Sequence, residues 1–335
     1  MKEGSYYSRE EKDDVRCELC PHFCRIHPDK SGICGARKNI DGKLITRNYG
    51  IVPSAALDPI EKKPLYHFYP GSQIFSIGTV GCNMRCPFCQ NYSLSRFFDN
   101  GEKPLDDPVA PEDVVRMLDR ETLPGNTFAG IAYTYSEPMV WFEFVRDTSR
   151  LMKEKGGMNV LVTNGYINPK PLDDLIPLVS AANVDLKAFN EKSYARMGGT
   201  LAPVLASIEK MKQGGWHVEL TTLMVTGLSD KVSEIEDAAK WIASIDRKIP
   251  YHLSRYFPQY KYNEPATDID LIHEARAAAR AHLDYVYMGN TGNESDTECP
   301  SCGNTLVIRN GYHVRMGGIK EGKCSKCGRD ADIVM

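Results

Sequence analysis

Residues 74–91 read IFSIGTVGCNMRCPFCQN, an apolar run that ends in a loop with three cysteines. The run at 74–79 predicts a buried strand, and six further strand-like runs follow it with amphipathic, helix-like segments between them. Parallel neighbours need crossover connections, so this alternation predicts a mainly parallel sheet with helices packed outside it. We expect an α/β fold with a partial (β/α)6-type barrel, in which chemistry lies on loops at the carboxyl ends of the strands. The six further runs are residues 128–135, 159–163, 183–187, 217–225, 251–256 and 284–288.

The composition is that of an ordinary globular protein. Of the 335 residues, 42% are hydrophobic and 25% are charged, which excludes disordered, collagen-like and fibrous proteins. A net charge of −3 provides no overall field for nucleic acid or for a membrane surface. No apolar run approaches the roughly 18 to 20 residues of a membrane span, and the N-terminal residues lack the apolar core of a signal peptide. We therefore expect a cytoplasmic protein with no membrane partner.

Eleven cysteines fall into three groups. An odd number in a chain without an export signal disfavours a disulfide framework, because the cytosol keeps thiols reduced. Ordinary buried cysteines would be scattered along hydrophobic stretches, whereas none of these is isolated. The groups are the front cysteines (Cys17, Cys20, Cys24 and Cys34), the loop cysteines (Cys82, Cys86 and Cys89) and the tail cysteines (Cys299, Cys302, Cys324 and Cys327).

The composition and the hydrophobic patterning of the sequence change twice along the chain, which predicts three modules. Residues 1–70 have many turn formers and little periodic patterning, so they predict a small, loop-rich, cysteine-rich module. Residues 71–290 carry the alternating strands and helices of the barrel. Residues 291–335 return to polar, glycine-rich sequence with two Cys-x-x-Cys pairs. The expected architecture is a barrel flanked by small cysteine-rich metal modules at both ends.

The loop cysteines have a C-x3-C-x2-C spacing. Three thiolates can hold three irons of a cubane cluster, and the fourth iron is then left without a protein ligand and open for chemistry. A three-cysteine zinc site completed by water or histidine is the alternative. The position of the loop directly after the first barrel strand favours a catalytic centre.

This loop resembles that of the radical S-adenosylmethionine (SAM) enzymes, and residues 81–86 (GCNMRC) resemble the activating enzyme of pyruvate formate-lyase. The resemblance implies a radical SAM barrel with a [4Fe-4S] cluster on the loop cysteines, and SAM bound to the open iron through its amino and carboxylate groups. It further implies that one electron from the cluster cleaves SAM to methionine and a 5′-deoxyadenosyl radical, which abstracts hydrogen from a substrate. A one-electron donor of the flavodoxin or ferredoxin type is implied as the partner that reduces the cluster.

The same resemblance extends to the ends of other strands. Phe88 stands where the family has an aromatic residue against the adenine, and Glu137 stands in a segment that positions the SAM ammonium. Glu137 is the expected acceptor for that ammonium, and a carboxylate favoured by a helix N-terminus is the alternative. Val162 departs from the activating enzymes, which have an aspartate of a cation site there. The expected SAM-binding residues are Phe88, Tyr135, Ser136, Glu137, Asn164, Asp185, Lys187 and His252, of which His252 is equally well explained as a structural histidine.

The two outer cysteine groups differ in how clearly they indicate a metal. The tail cysteines form two Cys-x-x-Cys-Gly pairs, a spacing typical of structural zinc, with an auxiliary iron-sulfur cluster as the alternative. The front cysteines follow a C-x2-C-x3-C-x9-C pattern that fits zinc and a second iron-sulfur cluster equally well. Lysine and arginine outnumber acids in both outer modules, but without interleaved aromatic residues this indicates a solvated surface rather than a nucleic-acid partner.

Over nearly its full length the chain resembles the AmmeMemoRadiSam system radical SAM enzymes. The resemblance lies at residues 17–24 (CELCPHFC), 58–68 (DPIEKKPLYHF) and 133–138 (YTYSEP), at the cluster loop and at the tail cysteines. It implies radical chemistry on a substrate that it does not identify, either a protein or other macromolecule or a small molecule. The alternatives are an activase that installs a glycyl radical on a partner enzyme, and a metal-cluster protein that binds RNA or senses redox state. For Tyr66 and Phe68, which precede the first barrel strand, we expect packing rather than contact with substrate.

Overall fold

A computed structural model of the chain describes residues 2–100, 107–121, 128–292 and 295–335. Its N-terminal part is built from six short strands: β1 (Lys2–Glu3), β2 (Tyr7–Arg9), β3 (Val15–Cys17), β4 (Arg25–Ile26), β5 (Arg37–Ile40) and β6 (Lys43–Thr46). They form two antiparallel three-stranded sheets, in the orders β1-β6-β5 and β2-β3-β4. The front cysteines lie on these strands and on the turns between them.

The centre of the molecule is one eight-stranded sheet. Its strands are β7 (Ser54–Pro59), β8 (Gln73–Gly78), β9 (Phe128–Tyr133), β10 (Met158–Thr163), β11 (Ala181–Asp185), β12 (His217–Met224), β13 (Tyr251–Arg255) and β14 (Val286–Gly289). Strands β8 to β14 are parallel and lie side by side in chain order, and β7 pairs antiparallel with β8 at the edge. Each strand-like run of the sequence coincides with one parallel strand, so the predicted α/β fold is confirmed.

The parallel strands were recognisable because helices cover the sheet. Strand β8 is buried along all but its first residue, and β11 along all but its last, so each reads as a nearly continuous apolar run. Strand β7 lies within residues 1–70, which we assign to the N-terminal module, yet it belongs to the central sheet. There Asp58 pairs with Ile74 and Leu57 with Phe75.

Helices fill the connections between the parallel strands. Pro111 and Pro169 each occupy the first position of a helix, where the missing N–H is tolerated. Asp268 caps the helix that follows it, accepting a hydrogen bond of 3.0 Å from the backbone of Asp270. Within the described ranges, no helix is both long and apolar enough to cross a membrane. The helices are α1 (Tyr92–Ser95), α2 (Pro111–Glu121), α3 (Phe142–Glu154), α4 (Pro169–Leu175), α5 (Glu191–Arg196), α6 (Leu201–Gln213), α7 (Val232–Asp246) and α8 (Ile269–Arg280), with short 3-10 helices at Glu11–Asp13, Ile60–Lys62, Phe97–Asn100 and Pro138–Trp141.

The tail folds into two small antiparallel sheets. One contains β15 (Thr297–Glu298), β16 (Thr305–Asn310) and β17 (His313–Met316), and the other contains β18 (Ile319–Lys320) and β19 (Lys323–Cys324). The chain then returns to the segment between β7 and β8. Tyr69 N donates to Val334 O and Val334 N donates to His67 O, each at 2.8 Å. The tail therefore packs on the residues that lead into the first parallel strand.

Candidate active site

A cavity of about 580 Å³ opens at the carboxyl ends of the parallel strands. This volume is in the range of small-molecule binding sites. Each strand from β8 to β14 contributes its last residues or the residues that follow it, as in other β/α barrels. The structure brings together in this cavity the loop cysteines and every residue for which we expect a SAM contact, namely Phe88, Tyr135, Ser136, Glu137, Asn164, Asp185, Lys187 and His252.

Buried polar groups that sequence reasoning missed hold the loop cysteines in place. The guanidinium of Arg96 donates to the carbonyl oxygens of Cys82, at 3.2 Å, and of Met84. Ser95 Oγ lies 3.2 Å from Cys89 Sγ. Burial raises the pKa of the Cys82 thiol, and the positive charge of Arg96 opposes that rise. Arg96 lies outside the cysteine motif, so nothing in the sequence connects it with the loop.

Two buried asparagines connect the cluster loop to the end of β10. Asn164 Nδ2 donates to Asn83 Oδ1 at 2.9 Å and lies 3.8 Å from Cys82 Sγ. Asn83 Nδ2 donates to Tyr166 O at 2.7 Å, and Asn164 Oδ1 accepts from Tyr166 N at 2.8 Å. These bonds satisfy both amides and fix the loop against the strand end. Asn83 was also missed, although it stands inside the cysteine motif.

Glu137 is buried, and three donors bind its carboxylate. Oε1 accepts from Thr163 Oγ1 at 2.6 Å and from Met139 N at 3.0 Å, and Oε2 accepts from Asn164 N at 2.8 Å. Burial raises the pKa of Glu137 to about 7, and these hydrogen bonds counteract part of that rise. The bond from Met139 N is a helix N-terminal cap, so the structural role that we considered is present. A carboxylate has about four acceptor positions, which leaves room for a further donor from the cavity.

A lysine places positive charge beside the loop cysteines. Lys187 Nζ lies 2.9 Å from Asp185 Oδ2. Burial disfavours the charged amine, but the Asp185 carboxylate and the Cys86 thiol together keep the pKa of Lys187 above its ordinary value. Burial raises the pKa of Cys86 to about 11, and Lys187 opposes that rise. Iron is held by thiolates, so a cation at this position favours the form that binds metal.

A buried glutamate orients His252 in the cavity wall. Glu219 accepts hydrogen bonds from His252 Nε2 (2.7 Å), His217 Nε2 (3.0 Å) and the backbone N–H groups of Tyr66 (3.0 Å) and His67 (2.7 Å). Burial opposes its charge, yet His217 and His252 hold the pKa of Glu219 below the ordinary value. Glu219 was missed as well, although a glutamate within the apolar run of β12 was a visible signal.

The segment before β8 forms one wall of the cavity. Asp58 Oδ2 lies 2.6 Å from Lys63 Nζ and accepts a hydrogen bond of 2.7 Å from Tyr135 OH. Tyr135 has φ 67°, a left-handed conformation that is strained for tyrosine and that these contacts support. Phe68 packs into a buried cluster as expected, whereas Tyr66 both packs against His252 and lines the cavity.

The outer cysteine groups are not among the residues that line this cavity. All four tail sulfurs lie within 4.8 Å of one another, with 3.5 Å between Cys299 and Cys327 and 3.6 Å between Cys302 and Cys324. In the described part of the chain they are the only metal-ligating group of three or more at such close spacing. The tail reaches the cavity through Tyr312, in the turn between β16 and β17.

The loop cysteines fit a [4Fe-4S] cluster. Their three thiols line one cavity, with the cations of Lys187 and Arg96 close enough to favour the thiolates. Three thiolates can hold three irons of such a cluster, and the fourth iron is then open to a ligand from the cavity.

The sequence is similar to those of known proteins. The radical SAM superfamily matches residues 76–242. The uncharacterized protein MJ0808 of Methanocaldococcus jannaschii is 39% identical over the full length of both chains. A putative glycyl-radical enzyme activating enzyme of the same organism, MJ1227, is 26% identical over 65% of this chain and 89% of its own. The pyruvate formate-lyase 1-activating enzyme of Escherichia coli K12 is 27% identical over 36% of this chain and 47% of its own.

A solved structure shares the fold. Streptococcus suis SuiB bound to the precursor peptide SuiA has a TM-score of 0.50 and 13% identity over 69% of this chain and 51% of its own. The match over residues 76–242 includes the cluster loop and strands β9 to β12, and the three thiols of that loop line the cavity. The chain belongs to the radical SAM superfamily and is an enzyme that generates a radical from S-adenosylmethionine.

Proposed function

We propose that this enzyme abstracts hydrogen from a protein substrate at the cavity mouth, and that it is a member of the AmmeMemoRadiSam group. One observation carries the proposal: the cavity has a second wall beyond the expected SAM contacts. That wall consists of Glu61, Lys62, Lys63, Pro64 and Tyr66 from the segment before β8, together with Tyr312 from the tail. A SAM molecule held at the strand ends leaves this wall for the substrate.

Two features favour a protein as that substrate. The relatives MJ1227 and pyruvate formate-lyase 1-activating enzyme are named for activating other enzymes. Aromatic side chains also stand exposed near the mouth. Tyr312 is 57% exposed and lines the cavity, and Tyr92 is 41% exposed and follows the lining residue Asn91. Exposed aromatic residues beside a cavity are typical of protein contact surfaces.

The residues of the chain bind and orient the reactants. When bound, the [4Fe-4S] cluster supplies one electron to SAM, which yields the 5′-deoxyadenosyl radical that removes hydrogen from substrate. Glu137 keeps one acceptor position beyond its three internal bonds, which suits the SAM ammonium. Asn164 ties that carboxylate to the cluster loop. Phe88 supplies an apolar surface for the adenine, and His252 is held by Glu219 for a polar contact.

The tail cysteines suit zinc. Four thiolates around one zinc ion stand about 3.8 Å apart, because each Zn–S bond is about 2.3 Å long. The observed distances of 3.5 and 3.6 Å agree with one central ion rather than with four irons. We treat residues 1–70, 71–290 and 291–335 as three modules, of which the small outer two depend on metal for folding free energy.

The proposed setting is a reducing compartment. All eleven cysteines are free thiols in the structure, which suits the cytoplasm rather than an oxidising space. The electron that cleaves SAM comes from a one-electron donor of the flavodoxin or ferredoxin type. No polyanion partner is proposed, since the net charge is −3.

Transfer of deuterium from a macromolecule tests this function. Reduced enzyme with SAM is mixed anaerobically with extract from cells grown in deuterated medium, separated into macromolecular and low-molecular-mass fractions. We expect deuterium in 5′-deoxyadenosine with the macromolecular fraction, and none with Cys86→Ala enzyme. Transfer from the low-molecular-mass fraction alone would refute a protein substrate. A stable organic radical on the recovered partner, seen by electron paramagnetic resonance, would identify the enzyme as an activase.

A wall variant tests where that substrate binds. Tyr312→Ala should reduce deuterium transfer from the macromolecular fraction while SAM cleavage without substrate stays unchanged. The matched control is Met117→Ala, which removes an exposed apolar side chain of α2 outside the cavity lining. Equal transfer by Tyr312→Ala and the control would remove the tail from the substrate site.

A further inference from the structure

Two residues of the cavity lining have a buried side-chain oxygen without a hydrogen-bond partner among the described residues. They are Ser136, through Oγ, and Glu61, through Oε2. Ser136 lies in the half of the cavity where we expect SAM, whereas Glu61 belongs to the second wall, which we assign to the substrate. Glu61 therefore offers an acceptor that the folded chain leaves unused on the substrate side.

The fold holds Glu61 in one position. It lies in the 3-10 helix Ile60–Lys62 and is only 4% exposed. Its Oε1 accepts a hydrogen bond of 2.9 Å from Gly71 N. Gly71 has φ 81°, and the place of a Cβ there lies 3.4 Å from Val314 of β17, so the tail packs against the donor residue. The position of the other carboxylate oxygen in the wall is thus fixed as well.

The lysines of the cavity lining are paired with other carboxylates. Lys62 Nζ lies 2.8 Å from Asp58 Oδ1, and Lys63 Nζ lies 2.6 Å from Asp58 Oδ2. Lys187 Nζ lies 2.9 Å from Asp185 Oδ2. Each lysine of the lining in the described chain therefore already has a counter-ion.

Glu61 has no positive partner of this kind. Oε1 binds a backbone N–H and Oε2 binds nothing, so no cation of the described chain forms a hydrogen bond with this carboxylate. Burial raises the pKa of Glu61, and Arg309 opposes that rise without such a bond, since its guanidinium donates to Tyr66 O and Thr297 Oγ1. A buried carboxylate without a counter-ion is unfavourable, and a ligand that brings a positive charge removes this cost.

The aromatic part of the wall suits the rest of a basic side chain. Tyr66 and Tyr312 line the same wall as Glu61. The ring of Tyr66 already packs against one cation of the protein, because the guanidinium carbon of Arg309 lies 4.3 Å from its centroid. Lysine and arginine combine an apolar stem, which packs on aromatic rings, with a terminal charge. Such a side chain matches both the rings and the carboxylate of the wall.

We propose that Glu61 binds the positive end of a lysine or arginine side chain of the substrate. This inference rests on the proposed protein substrate, which would supply that side chain. The test variant is Glu61→Gln, whose amide oxygen can still accept the bond from Gly71 N while its NH2 group replaces the unpartnered oxygen. The matched control is Glu274→Gln, which removes the same charge from an exposed position of α8 outside the cavity lining.

Peptide binding tests this subsite without turnover. The probes are acetylated and amidated tripeptides with lysine, arginine or norleucine between two glycines, measured by equilibrium dialysis against reconstituted enzyme with SAM. Wild type should bind a charged peptide about 10- to 100-fold more tightly than the norleucine peptide. The preference should vanish in Glu61→Gln and persist in Glu274→Gln. Equal binding of all three peptides to wild type, or an unchanged preference in Glu61→Gln, would overturn the proposal.

Deuterium transfer separates failure of the subsite from failure of the function. In Glu61→Gln, the amount of macromolecular fraction that gives half-maximal transfer should rise about 10- to 100-fold with little change in the plateau, because binding is weakened rather than chemistry. Glu274→Gln should match wild type. Charge-dependent peptide binding with no transfer from the fraction would refute the proposed function and leave the subsite standing. Equal transfer by the two variants would refute the subsite and leave the function standing.

Discussion

The Glu137 carboxylate binds the end of β10, caps the 3-10 helix that follows it and is the expected partner of the SAM ammonium. Replacing Glu137 with alanine removes all three contacts. Three donors lose their acceptor. The Thr163 hydroxyl can turn to another acceptor, but the backbone N–H groups of Met139 and Asn164 cannot. A buried donor without a partner costs about 1–3 kcal/mol, so the two together cost roughly 2–6 kcal/mol of local stability.

The same substitution should weaken SAM binding. A hydrogen bond between charged groups contributes about 1.5–3 kcal/mol. At about 1.4 kcal/mol for each factor of ten, the dissociation constant should rise by one to two orders of magnitude. Asn164→Ala should act in the same direction but more weakly, because a neutral amide forms weaker bonds than a charged pair. The cluster should survive in both variants, since neither residue is an iron ligand.

Two measurements on anaerobically reconstituted enzyme separate these effects. SAM titration gives the dissociation constant, and amide hydrogen exchange reports protection at Met139 and Asn164. Asp268→Ala is the matched control, since it removes a capping carboxylate of α8 far from the cavity lining. It should cost about 1 kcal/mol and leave SAM affinity unchanged. Wild-type SAM affinity in Glu137→Ala would refute the ammonium contact, and unchanged amide protection would refute the hydrogen-bond reasoning.

Alanine at any one loop cysteine should end 5′-deoxyadenosine formation, because each thiolate holds one iron; unimpaired formation in all three variants would contradict the cluster. Replacing Cys302 and Cys324 together should remove about one zinc per chain, loosen the tail and leave the barrel cluster's spectrum intact. Loss of iron and sulfide with zinc unchanged would show a tail cluster instead. Burial opposes the charge of Glu219, but its histidine partners lower its pKa below the ordinary value of 4.5. The charged carboxylate therefore stabilises the fold above pH 4.5, the ordinary pKa, and this contribution is lost as the pH falls. Glu219→Gln should therefore show a smaller fall in melting temperature than wild type when the pH is lowered into the acid range. The same pH dependence of melting temperature in both proteins would argue against this role of Glu219.

The strands and the cluster loop could be predicted because their signals are local. Residues of β8 and β11 are buried on both faces, so their apolar character appears as an uninterrupted run. The C-x3-C-x2-C spacing carries its chemistry within eight residues, 82–89. Six of the eight expected SAM contacts, all but Phe88 and His252, stand at or just after the ends of β9, β10 and β11, and parallel topology brings such positions to one cavity.

The missed residues depend on partners far away along the chain. Glu219 meets Tyr66 across 153 positions, and Arg96 acts on backbone carbonyls, which any sequence provides. Strand β7 was missed for another reason. It is an edge strand with one well-buried residue, Asp58, and it ends at Pro59, so it lacks the apolar alternation that marks a strand.

The closure of the tail over the segment before β8 has a consequence for biosynthesis. His67 Nδ1 lies 2.9 Å from Asp332 O, a contact across 265 positions, and Arg309 Nη2 donates to Tyr66 O at 2.7 Å. The proposed substrate wall is thus translated early but is fixed only after the tail emerges from the ribosome. Such long-range contacts form late in folding. The loop cysteines of a nascent chain are therefore synthesised before the tail can fix the substrate wall. Formation of the substrate site depends on synthesis of the tail and on binding of its metal.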